Sequence, residues 1–92
     1  MRLDVFLKIS RLIVRRSLAQ ELCDAGLVRV NNLQAKSSKE IKANDEIEIR
    51  RRTRVTKINV LSVPDKKQMS KAGAENLYTI ISDETLEDQN EL

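Results

Sequence analysis

LIVRRSLAQELCDAGLVRVNN, residues 12–32, changes its hydrophobic period once, and that change decides the fold. From Ser17 to Ala25 the apolar positions Leu18, Ala19, Leu22 and Ala25 recur at helical spacing, with Cys23 flanking them. Gly26 supplies the left-handed residue that ends many helices. Leu27 to Val30 then alternate as in a half-buried strand, and Asn31-Asn32 follow as a tight turn, because Asn tolerates positive φ. A helix therefore feeds directly into a hairpin. The same stretch places Arg15 and Arg16 at the amino end of that helix, where outward N–H groups already make a positive pole. Started at Ser17, the helix has an S-x-x-Q capping box with Gln20; started near Arg15, it has no side-chain cap. Either way two cations sit where acids are favoured. Their cost is small, and it is offset if an external anion docks there, where amides, dipole and guanidinium forks act together.

Upstream, Leu3, Phe6, Leu7 and Ser10 share one side of a first helix, and Lys8 and Arg11 share another. Asp4 stands one turn before Lys8, the spacing of an ion pair worth roughly 0.3 kcal/mol. Downstream, a return strand is expected near residues 33–35 and a turn at Asn44-Asp45. Strictly alternating Glu46–Ile49 reads as a strand, and residues 55–63 as the longest strand, ended by Pro64. Residues 65–76 are polar and lack a period, so they read as a connecting loop. Residues 77–81 return as a final strand, and the chain from Ser82 onward reads as disordered for want of anything to bury. The fold class is α+β: two N-terminal helices packed on a small, largely antiparallel sheet. The expected organisation is one folded domain over 1–63, a connecting segment with the last strand over 64–81, and an acidic tail over 82–92.

Composition removes several functions. With no histidine and one cysteine, the chain has neither a zinc set nor a Ser–His or Cys–His pair. Its two glycines, Gly26 and Gly73, make no phosphate loop. Neither a metal nor a cofactor is expected, and the function is read as non-enzymatic. No apolar run is long enough to cross a membrane, and the N-terminus lacks a signal-peptide pattern. A lone Cys23 fits a packed small side chain in a reducing cytoplasm. Phe6 and Tyr78 are the only aromatic residues, so the expected binding mode reads shape and phosphate rather than splayed bases.

Charge identifies the partner class. The net charge of +3 hides a division: the last ten residues carry five acids and no base, leaving residues 1–82 with a net of +8. A basic body of this kind expects a polyanion. The candidate contacts are Arg2, Lys8, Arg11, Arg15 and Arg16 in the helical region. Arg50, Arg51 and Arg52 form a second cluster with Arg54, at an expected hairpin tip. The acidic end reads most simply as a solubilising tail, with folding over the basic face as the competing role.

The spacing of Arg2-Leu3-Asp4, Phe6-Leu7, Arg16, Ala19, Gly26, Val28, Val30-Asn31 and Asp45 before Ile47 resembles the S-four RNA-binding domain family, the alpha-L motif. The likeness covers about the first fifty residues. Over its full length the chain is similar to the family's stand-alone members that serve bacterial ribosome-associated quality control, relatives of the fifteen-kilodalton heat-shock RNA-binding protein. The resemblance implies binding to 23S rRNA and peptidyl-tRNA on stalled large ribosomal subunits. It also implies support of an RqcH-type factor that adds alanine to the nascent chain, in the cytoplasm and with no chemistry of its own. It carries over Arg2, Lys8, Arg11, Arg15 and Arg16 as RNA-binding positions. Asn32 and Asn44 stand where the family often has Gly, and the Arg50–Arg54 cluster is not inherited from it. No membrane partner is expected, and a monomer is expected off the ribosome. Alternatives are a heat-shock-type recycler of tRNA-bearing large subunits, a helix-turn-helix DNA regulator, and an adaptor for an acidic protein.

Overall fold

Local sequence and tertiary packing agree on most elements of the computed structural model, which describes residues 1–65 and 70–86. The order is α1 (Leu3–Ile9), α2 (Arg16–Asp24), β1 (Val28–Val30), β2 (Leu33–Gln34), β3 (Glu46–Arg50), β4 (Arg54–Val60), α3 (Lys71–Glu75) and β5 (Tyr78–Thr85). The strands form one antiparallel sheet in the order β2-β1-β3-β4-β5, so the class is α+β.

Register explains the core. Val30 lies opposite Ile47, Ile47 opposite Ile58, and Val28 opposite Ile49, which lines up branched side chains on one sheet face. Leu3, Phe6 and Leu7 of α1, Ile13 of the connection, and Ala19 and Cys23 of α2 cover that face. The other face is charged: Arg29 meets Glu48 at 4.0 Å and Lys57 meets Glu46 at 3.4 Å.

Turn chemistry fixes the joints. Asn31 and Asn32 both have positive φ (52° and 69°), as a tight hairpin between β1 and β2 requires, and Asn44 (76°) is left-handed as well. Asn31 also accepts from the Glu46 amide (3.0 Å) and donates to Asp45 (3.2 Å), pinning this turn to the start of β3. The first amides of α1 are satisfied from outside the helix, Leu3 N–H by the Lys39 carbonyl (2.7 Å) and Asp4 N–H by the Ser37 carbonyl (3.1 Å).

Several expectations are corrected. α1 stops at Ile9, so Arg11 is not on the helix beside Lys8; it sits beyond, with φ of 62°. In α2 the buried residues are Ala19 and Cys23, while Leu18 and Ala25 are exposed. The helix is turned so that Ala19 and Cys23 join the core. Helix α3 occupies part of the expected loop: Ser70 Oγ accepts from the Gly73 amide (3.1 Å), and Ala74 is buried. Five residues are too few to show a period. β4 ends at Val60 rather than residue 63, and β5 continues past residue 81 to Thr85 because its backbone pairs with β4 on both sides of a register shift at Ile81. Disorder from Ser82 is therefore wrong for residues 82–85; the rest of that expectation, over 87–92, lies outside the described residues, as do residues 66–69 of the expected loop.

Candidate nucleic-acid interface

Asp4 organises the basic face. Its side chain has 0% exposure, yet it meets two cations that are each about half exposed, Arg2 at 45% and Arg16 at 47%. Arg2 donates through Nε (3.2 Å) and Nη2 (3.3 Å), Arg16 through Nε (3.2 Å), and Gln20 through Nε2 (2.9 Å). The Val5 amide completes the shell at 2.8 Å. Burial pushes the Asp4 carboxyl upward, but the hydrogen bonds from Gln20, Arg16 and Arg2 outweigh it and hold the group below its ordinary value. The carboxylate stays charged, fixes two guanidinium groups, and neutralises less than their combined charge.

This knot settles the start of α2. The helix begins at Arg16 with Arg15 as an uncapped residue in extended conformation, and the Ser17–Gln20 capping box does not form. Gln20 is drawn to Asp4 instead, as is Arg16, and the expected Asp4–Lys8 pair is not made. Asp4 sits in the first turn of α1, so one carboxylate ties the amino ends of both helices together.

Three grooves receive most of the candidate contacts, and the second and third adjoin. Arg2, Lys8 and Arg16 line the first with Met1 and Val5, while Pro64 and Asp65 close its far side. Arg15 and Arg51 line the second with Leu12, Val14 and Leu18. Arg11 and Arg51 line the third with Arg54, Tyr78 and Ile80. Arg51 joins the second and third: its Nη2 donates to the Leu12 carbonyl (3.0 Å), so the β3–β4 tip is tied to the α1–α2 connection. Arg11 and Arg15, far from Arg51 along the chain, thus line the same two grooves as it does. Arg50 and Arg52 are exposed at the same tip but line none of these grooves.

Sequence reasoning missed two acidic partners. Asp4 is spaced as a local ion-pair partner of Lys8, and only its place among the apolar residues of α1 signals a buried carboxylate. Asp83 was assigned to a tail, but it accepts both Nε and Nη2 of Arg54, and Thr56 Oγ1 donates to it (3.1 Å). Arg54 is therefore neutralised by Asp83. The Cys23 thiol is buried, which together with the charges of Asp4 and Asp24 pushes its pKa to about 11 and makes it unreactive. Among the described residues no group of three His, Cys, Asp or Glu side chains can hold a metal, and no helix is long and apolar enough to cross a membrane.

Known proteins share this fold. The S4 domain family profile matches residues 1–47. A Streptococcus pneumoniae protein named RQC P-site tRNA stabilizing factor is 42% identical over 88 residues, covering 96% of this chain and 98% of the relative. A Bacillus subtilis protein of the same name is 43% identical over 86 residues, covering 94% and 98%. Among solved structures, Vibrio cholerae Heat Shock Protein 15, described as trimeric, superposes with a TM-score of 0.79 at 28% identity, over 89% of this chain and 82% of that one. The solution structure of the hypothetical protein HP1423 gives 0.78 at 32% identity, over 89% and 98%. The Asp4 knot and the helix–hairpin unit that carries it lie inside the matched region, and the chain belongs to the S4 domain family.

Proposed function

We propose that the chain is a non-enzymatic RNA-binding factor of ribosome-associated quality control that holds a P-site tRNA on a stalled large ribosomal subunit. The observation that carries the reading is the groove in which Arg2, Lys8 and Arg16 converge, with two guanidinium groups fixed on Asp4. Fixed forks beside uncapped helix amides suit phosphate oxygens of structured RNA. The names of the full-length relatives supply the setting. In this reading Arg2, Lys8, Arg11, Arg15 and Arg16 contact 23S rRNA and peptidyl-tRNA, and Arg50, Arg51 and Arg52 extend the contact from the hairpin tip. The chain acts in the cytoplasm as a monomer off the ribosome, and steadies the tRNA while an RqcH-type factor adds alanine.

Gradient sedimentation of a tagged copy from lysate at moderate salt tests this, beside the Arg15→Ala/Arg16→Ala variant. Wild type is expected on large subunits carrying tRNA, with the variant at the top of the gradient. Absence of the wild type from ribosomal fractions refutes the proposal. The likeness to Heat Shock Protein 15 favours one second reading, recycling of tRNA-bearing large subunits without tailing. Alanine tails that persist on a stalled reporter after deletion of this chain select it.

A further inference from the structure

Composition alone argues against base recognition, because the chain has two aromatic residues and Phe6 is wholly buried. Tyr78 is not. Register places Tyr78 opposite Val60 and Ile80 opposite Ile58, so both belong to the helix-facing side of the sheet. That cover stops between β4 and β5: Ile58 is fully buried and Ile80 is 57% exposed. The uncovered strip forms the floor of a groove of about 210 Å³, lined by Ile49, Tyr78 and Ile80 and rimmed by Arg11, Arg51 and Arg54. It has room for one planar ring, and none for a helix or a duplex.

We propose that this groove takes a single unpaired nucleotide of an RNA whose paired part lies on the arginine face. The inference rests on the RNA-binding reading above. Chemistry selects the occupant: a tyrosine ring and a branched aliphatic floor suit a base or ribose, and guanidinium groups at the rim suit its phosphate. The rim is not neutral. Arg54 is answered by Asp83, but the bond from Arg51 goes to the carbonyl of Leu12, which leaves its charge uncompensated by that partner. Arg11 stands at the groove in a left-handed conformation rare for a side-chain-bearing residue, a form that local strain takes at binding sites. The groove also continues the phosphate-binding surface, since Leu12 and Arg51 line both it and the neighbouring groove of Arg15.

The test uses the unaltered chain. It has one tyrosine and no tryptophan, so its ultraviolet emission reports Tyr78 alone. Two dye-labelled RNA stems are titrated, one fully paired and one with a single bulged nucleotide, reading dye anisotropy and tyrosine emission together. Both stems are expected to bind, the bulged one about tenfold more tightly, and only the bulged one quenches the emission. Tyr78→Phe should keep the preference and Tyr78→Ala should abolish it, with circular dichroism to check folding. If both stems bind with emission unchanged, the nucleotide site is overturned and the RNA-binding reading survives. If neither binds, both fall. Quenching by an acidic peptide but by neither RNA assigns the groove to a protein and overturns the proposal.

Discussion

Asp4 faces two guanidinium groups and a carboxamide from a position with no solvent exposure, so its charge is retained only while those donors stay in place. Asp4→Asn keeps the shape and removes the acceptor charge. It should cost on the order of 2 kcal/mol in urea unfolding and lower Tm by roughly 10 °C. The same carboxyl gives stability an acid dependence. Its folded pKa lies below the ordinary carboxylate value, so its contribution is present above that ordinary value and lost as pH falls through the folded pKa. An acid titration of unfolding should therefore fall more steeply below about pH 4 for wild type than for Asp4→Asn. Arg16→Ala should weaken binding to structured RNA while the domain stays folded, and lower the salt slope by about one. Arg16→Lys should restore the charge but only part of the affinity, because an ammonium cannot serve Asp4 and a phosphate with one planar fork. Full affinity in Arg16→Ala would remove this residue from the interface.

At the scale of elements, the end of α2 decides where the hairpin points. Gly26 N–H donates to the Cys23 carbonyl (3.0 Å) and Leu27 N–H to the Leu22 carbonyl (2.9 Å), a double closure that turns the chain into β1. Gly26 holds φ at 75°, and a Cβ there would stand 2.7 Å from Nε2 of Gln34. The Gln34 amide is the end of a flexible side chain and can withdraw; the backbone angle cannot relax. Gly26→Ala should therefore destabilise by about 1 kcal/mol in chemical denaturation, and adding Gln34→Ala should recover little of it. Full recovery in the double variant would show that the contact, rather than the angle, sets the cost.

For the whole molecule, the balance of charge is set partly by β5. Residues 1–82 carry a net of +8, and the first acid of the C-terminal decapeptide, Asp83, is held against Arg54 within the sheet. Both groups are exposed and shifted toward their charged forms, Arg54 upward and Asp83 downward, each by the hydrogen bond to the other. Asp83→Asn releases Arg54 beside Arg51. It should strengthen RNA binding at low salt for any sequence alike and steepen the salt dependence by about one unit of slope. Unchanged slopes would show that Arg54 lies outside the RNA contact.

The sequence by itself determined whatever depends on neighbours in the chain. Period separates α2 from β1, Gly26 and the Asn31-Asn32 pair carry their own turn chemistry, and the excess of arginine identifies a polyanion as partner. The eight candidate cations other than Arg54 can also be named with their two clusters from charge alone; their geometry cannot. Only tertiary structure decided the partner of Asp4, because Lys8 lies one turn away while Arg16 and Gln20 reach it across the packed helices. It also joined Arg51 to Leu12, stabilised an α3 too short for a period, extended β5 to Thr85 and left Tyr78 at the edge of the helical cover. The physical reason is common to all of these. Backbone preference and side-chain period act within a turn or two of chain, whereas the partner of a buried charge and the limit of a packed layer are set by which elements meet.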